Sequence, residues 1–65
     1  MIGARIRTIR IKKNLSLLQL AERSKVTKSY LSLIERNIWT NPSMGFVEKV
    51  AAALNVYPEV LLGWG

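Results

Sequence analysis

Neither cysteine nor histidine occurs in this chain, and only four of its 65 residues are acidic. Without cysteine there is no disulfide and no thiolate site. Without histidine the usual set of metal ligands shrinks to four separated glutamates. The same gap removes the commonest general base, so the serines have no evident partner for nucleophilic chemistry and no catalysis is expected. No glycine-rich phosphate loop is present, and no cofactor is implied. No apolar run approaches the roughly 18 residues of a membrane span, and the N-terminus lacks a secretory apolar region. A soluble, cytoplasmic domain without membrane association is therefore expected. Strand signals are missing too: the chain has no run of period two and no Asn-Gly or Asp-Gly hairpin turn.

What is present is apolar content and positive charge. Hydrophobic residues make up 49% of the chain, enough for a single small domain, residues 1–65, to be held by packing alone. The charge is unevenly spread. Residues 1–36 carry nine basic side chains (Arg5, Arg7, Arg10, Lys12, Lys13, Arg23, Lys25, Lys28, Arg36) against Glu22 and Glu35, a balance of +7, whereas the remainder is nearly neutral. That asymmetry favours a polyanionic partner, and a solvated cationic surface is the plainer alternative.

Helical periodicity accounts for most of the apolar residues. Ile2, Ile6, Ile9 and the stem of Lys13 recur at helical spacing, so residues 2–13 read as an amphipathic helix stopped at Asn14, a residue that tolerates left-handed backbone. Ser16-x-x-Gln19 has the form of a capping box opening a second helix, with Leu17, Leu20 and Ala21 inward. Thr27 is a natural N-cap for a third helix, preceded by the apolar Val26, and Leu31 and Ile34 lie one turn apart on one of its faces. That helix is expected to stop near Asn37. After the loop "NIWTNP", Asn41 is the expected cap and Pro42 the expected first residue of a fourth helix, whose stripe is Phe46, Val47, Val50, Ala51 and Leu54. Pro58, followed by Val60, Leu61 and Leu62, predicts a short fifth. The expected fold class is all-α.

Only about three residues separate the second and third helices. A break that short forces a sharp crossing, the helix-turn-helix arrangement. Val26, Leu31 and Ile34 would then hold the third helix from inside while its first turn, "KSY", is thrust outward. Lys28, Ser29 and Ser32 are placed to meet a partner there. Lysine can donate to guanine O6 and N7, serine pairs with several bases, and the Tyr30 hydroxyl can reach a phosphate. The plainer reading is that any exposed helix start is polar.

The stretch "LSLLQLAERSKVTKSYLSLIERN" resembles the signature helix-turn-helix of the Cro/CI or Xre family of repressors. Leu20-Ala21, Val26, Leu31, Ile34-Glu35 and the KSYLS run occur together at that family's spacing, and the likeness extends from "MIGARIRTIR" to "LNVYPEVLL". The resemblance implies a compact five-helix, lambda-repressor-like domain, dimeric binding to an inverted-repeat operator in double-stranded DNA, and transcriptional repression. Residue by residue, it implies recognition-helix contacts from Lys28, Ser29 and Tyr30, with that helix spanning about 28–36. Ser16 and Leu17 correspond to a phosphate approach at the start of the second helix. Arg36, Asn37, Thr40 and Asn41 correspond to the end of the recognition helix and the loop that tracks the backbone. Thr27, Ser32 and Leu33 complete the candidate DNA-contacting set. Arg10 and Glu35 match a salt bridge that ties the first helix to the third, which makes Arg10 structural.

Three residues depart from the family pattern. Lys25 stands where the turn usually has glycine, Leu18 replaces a small polar residue, and Leu33 occupies a polar position that in relatives faces the groove. Outward leucines also fit two rival readings: a protein-interaction module that keeps the fold, or a redesigned scaffold without specific DNA binding. Trp39, in the polar loop, could stack on a sugar or fill a gap under the fourth helix, and the packing role is the expected one. Trp64 with Leu61 and Leu62, if exposed, would form an apolar patch suited to a weak homodimer through the C-terminal end. Ile11 and Val60 are expected outside the core.

Overall fold

In the computed structural model, which describes residues 2–63, the chain forms α1 (Ile2–Lys12), α2 (Leu17–Ser24), α3 (Lys28–Glu35), α4 (Met44–Leu54) and α5 (Pro58–Leu62), with no strand among the described residues. Helix starts follow from local chemistry. The Ser16 hydroxyl accepts from the Gln19 amide while Gln19 Oε1 accepts from the Ser16 amide, closing the capping box of α2. Thr27 caps α3 through the Tyr30 amide, and Ser43 caps α4 through that of Phe46. Pro58 opens α5, where its missing N–H costs nothing.

The first four helices also stop alike. Asn14, Lys25, Asn37 and Asn55 all have left-handed backbone, with φ between 58 and 63°. At each, that residue's amide donates to the carbonyl three residues back, and the next amide donates to the carbonyl five back. Two otherwise orphaned carbonyls are satisfied per helix. The residue after each stop is apolar. Leu15 is buried, Val26 and Val56 pack against the core, and Ile38 alone remains in solvent, 58% exposed.

The core lies between α1, α2 and α4 and is closed by α3 and α5. Ile6, Leu20, Leu31, Ile34, Val50, Leu54 and Leu61 are entirely inaccessible, and Phe46, Val47 and Ala51 nearly so. Each large aliphatic side chain so buried contributes about 1.5–3 kcal/mol before conformational entropy is charged against it. Ser24 is a buried polar residue, and its hydroxyl donates back to the Leu20 carbonyl at 2.6 Å. Gly3 lets α1 cross the end of α3, because a Cβ at that position would collide with the Ile34 carbonyl.

Four details differ from the sequence reading. Helix α1 ends at Lys12, Lys13 is exposed, and Leu15 fills the inward place assigned to the Lys13 stem. The left-handed turn at Asn14 brings the next apolar residue back under α1, which a purely helical count does not anticipate. Helix α4 is capped by Ser43, not Asn41, and Pro42 lies half-buried just before the cap. Ser43 is the good cap nearest the apolar stripe, and Pro42 needs no N–H in the approach to it. Trp39 is 52% exposed and does not fill a gap under α4. Leu61 is in the core, so it is unavailable to a terminal patch; Leu62 is half-buried and Trp64 lies outside the described residues. Ile11 and Val60 are outside the core, as expected.

Candidate nucleic-acid interface

The corner between α2 and α3 comprises three residues with separate tasks. Lys25 turns the chain left-handed (φ 59°, ψ 39°), Val26 packs against the core, and Thr27 caps the next helix. Leu31 and Ile34, both fully buried, hold α3 from beneath. The opposite face is then determined by the helical repeat: Lys28, Ser29, Ser32, Leu33 and Arg36 line one shallow recess. Lys28, Ser29, Leu33 and Arg36 are exposed, and Ser32 is half-buried. A lysine and an arginine bracket two hydroxyls and one leucine along roughly two turns.

The remaining candidates lie around this recess in different states. Tyr30 is half-buried, its ring edge-on to Phe46 at a centroid distance of 5.0 Å and an interplanar angle of 88°, so most of the side chain is a packing element. Thr27 is exposed and its oxygen is engaged in the cap. Ser16 is exposed; its oxygen accepts the Gln19 amide, which leaves its own hydroxyl hydrogen to donate. Leu17 is half-buried against the core, so its side chain is not available to a ligand. Its backbone amide is another matter. The cap engages the amides of Gln19 and Leu20, whereas those of Leu17 and Leu18 belong to the first-turn donors that a helix leaves to solvent or to an anion. Asn37, Thr40 and Asn41 are exposed in the segment after α3. The structure does not bring them into the recess.

Arg10 is spent internally. Its Nε donates to Glu35 Oε2 at 2.7 Å, its Nη2 to Glu35 Oε1 at 3.0 Å, and its Nη1 to the Leu15 carbonyl at 2.8 Å. The side chains are 14% and 6% exposed. This planar, two-pronged pair ties α1 to the end of α3 and fixes the angle at which α3 stands. The exposed cations of this recess are Lys28 and Arg36; Arg5, Arg7, Lys12 and Lys13 are also exposed, on or just after α1.

Ile38 and Trp39 are exposed apolar residues beside the end of α3; Ile38 escaped the sequence reading, and Trp39 was assigned there to packing. The amides of Ile38 and Trp39 both donate to the Leu33 carbonyl, at 3.0 and 3.1 Å, so the chain doubles back beside the end of α3. The available signal was the position of Trp39 within a polar loop, a setting in which a core role has no helical stripe to support it.

A helix-turn-helix family model, HTH_3, matches residues 6–61. The chain belongs to the helix-turn-helix family. The domain is 56% identical over 62 residues to the HTH-type transcriptional regulator SinR of Bacillus subtilis (strain 168), covering 95% of this chain and 56% of that protein. It superposes on the crystal structure of SinR in complex with DNA, the master regulator for biofilm formation, with a TM-score of 0.93 at 56% identity, covering 95% of this chain and 98% of that one. The restriction-modification controller protein C.AhdI of Aeromonas hydrophila matches with a TM-score of 0.87 at 37% identity, over 92% of this chain and 89% of that one. This helix-turn-helix domain spans about half the length, or less, of the curated relatives it matches. Such likeness to transcriptional regulators does not favour the scaffold or interaction-module readings. Among the described residues, no helix is long and apolar enough to cross a membrane.

Proposed function

We propose that this helix-turn-helix domain binds double-stranded DNA sequence-specifically as the DNA-reading part of a cytoplasmic transcriptional repressor. The observation that carries the reading is the single face of α3 on which Lys28, Ser29, Ser32, Leu33 and Arg36 lie together, opposite the anchors Leu31 and Ile34. In a SinR structure that fits with a TM-score of 0.93, the protein is in complex with DNA. Helix α3 enters the major groove with its N-terminal turn foremost, and Lys28 and Ser29 read base edges. The Ser16 hydroxyl and the Leu17 amide approach one phosphate, while Thr27 and the Tyr30 hydroxyl serve the near strand. Arg36, Asn37, Thr40 and Asn41 follow the backbone, helped by the basic residues of α1. The operator is an inverted repeat bound by two copies, which touch weakly through the C-terminal end, where Val60 on α5 is 42% exposed.

Labelled inverted-repeat and scrambled duplexes titrated at two salt concentrations test this reading. The expected result is tighter binding to one inverted repeat, with affinity that falls steeply with salt and is lowered by Lys28→Ala and Ser29→Ala. If both variants keep the parent's salt-sensitive affinity, α3 is not the reading helix.

A further inference from the structure

Leu33 is the only apolar residue lining the recess on α3, and it is 37% exposed between Ser29, Ser32 and Arg36. The core already has Leu31 and Ile34 from this helix, both fully buried, so packing does not require a third large aliphatic group here. Its backbone has a separate duty: the Leu33 carbonyl accepts the amides of Ile38 and Trp39, a role any residue fills. The side chain thus lies outside the core cluster and, partly exposed, stands among polar groups lining the recess.

A leucine on a DNA-reading face has a narrow choice of partners. It neither donates nor accepts a hydrogen bond, and in the major groove the one bulky apolar group on any base pair is the C5-methyl group of thymine. Set against a cytosine amino group or a guanine O6, leucine would strip water from a donor or acceptor and offer nothing in return. Set against a thymine methyl, it removes apolar surface from water on both sides. We infer that Leu33 is a specificity-determining residue that selects thymine, through its methyl group, at one position of each half-site. The inference rests on the proposed entry of α3 into the major groove and adds to it the identity of a base and the atom that is read.

The test uses duplexes selected from a randomised pool by the 65-residue chain. Each thymine of the selected half-site is replaced in turn by deoxyuridine, which keeps every hydrogen-bonding group and lacks only the methyl. One position is expected to lose about fourfold in affinity, the worth of one buried methyl group. The Leu33→Ser variant should bind thymine and deoxyuridine equally at that position while keeping its dependence on the bases read by Lys28 and Ser29. If the wild-type chain binds the deoxyuridine and thymine duplexes equally at every position, or if Leu33→Ser retains the fourfold difference, the methyl contact is overturned while the DNA-binding reading stands. A chain that selects and binds no duplex at low salt overturns both. The deoxyuridine scan on the unmodified chain decides the matter even if Leu33→Ser folds poorly.

Discussion

At Lys25 the backbone is left-handed with no glycine to make that comfortable. Among the described residues, the other three non-glycine residues with positive φ are asparagines, whose short polar side chains tolerate this region, and lysine does not share that advantage. The strained position costs on the order of 1 kcal/mol relative to glycine, part of which glycine returns through its larger unfolded-state entropy. Lys25→Gly should therefore gain about 0.5–1 kcal/mol, seen as a rise in Tm of roughly 2–8 °C for a domain of this size. A Tm that is unchanged or lowered would show that the Lys25 side chain makes a compensating contribution. The asparagine stops could be read in advance because their tolerance of left-handed backbone is a property of the residue itself. The state of Tyr30 could not. Its ring is held by Phe46, sixteen positions away, and no local pattern announces that contact. Leu17 illustrates a subtler limit. Its place at the start of α2 was readable, yet on the proposed function the group it would offer a phosphate is the backbone amide, because its side chain packs against the core.

Among the elements, α3 is the one on whose orientation the proposed function depends, and it is set at both ends. The corner at residues 25–27 fixes its start, and the Arg10–Glu35 pair with Gly3 fixes its end against α1. A nearly buried ion pair adds little net stability over a well-packed apolar pair, but breaking it leaves a charge without a partner, at a cost of about 3–5 kcal/mol when burial is complete. With 14% and 6% exposure, Arg10→Ala should fall near the lower end, about 3 kcal/mol. That is a large share of the roughly 3–10 kcal/mol available to a chain of this length. The double variant Arg10→Met with Glu35→Leu should recover most of the loss in urea unfolding. A double variant as unstable as the single one would mean that the hydrogen bond from Arg10 to the Leu15 carbonyl matters more than the pairing of charges. The helix starts at Ser16 and Thr27 were evident because a cap acts within four residues. The start of α4 was misplaced because Asn41, Pro42 and Ser43 are all acceptable there, and the choice falls to whichever cap best delivers Phe46 and Val47 to the core.

On the scale of the molecule, charge and size together determine how DNA can be held. The domain extends 26 Å along its longest axis, whereas recognition helices on successive major-groove faces stand about 34 Å apart, so on the proposed function one copy reads one half-site. A single copy must then draw much of its affinity from phosphates, through counterions released as exposed cations approach the backbone. The lopsided charge of the sequence already pointed to a polyanion, but it could not separate cations free to act outward from those neutralised within the fold. Arg10 belongs to the second class and Lys28 and Arg36 to the first. The distinction is measurable in the slope of log affinity against log salt, which changes by about 0.9 for each phosphate neutralised. Arg36→Ala should make that slope shallower by about one and weaken binding nearly equally on specific and scrambled duplexes, because a phosphate contact carries no sequence information. The Arg10→Met, Glu35→Leu pair should leave the slope unchanged although a cation has been removed, since its charge was already matched by Glu35. A slope that becomes shallower in the double variant would show that Arg10 exchanges Glu35 for a phosphate on binding, and the pair would then be a switch and no longer a brace.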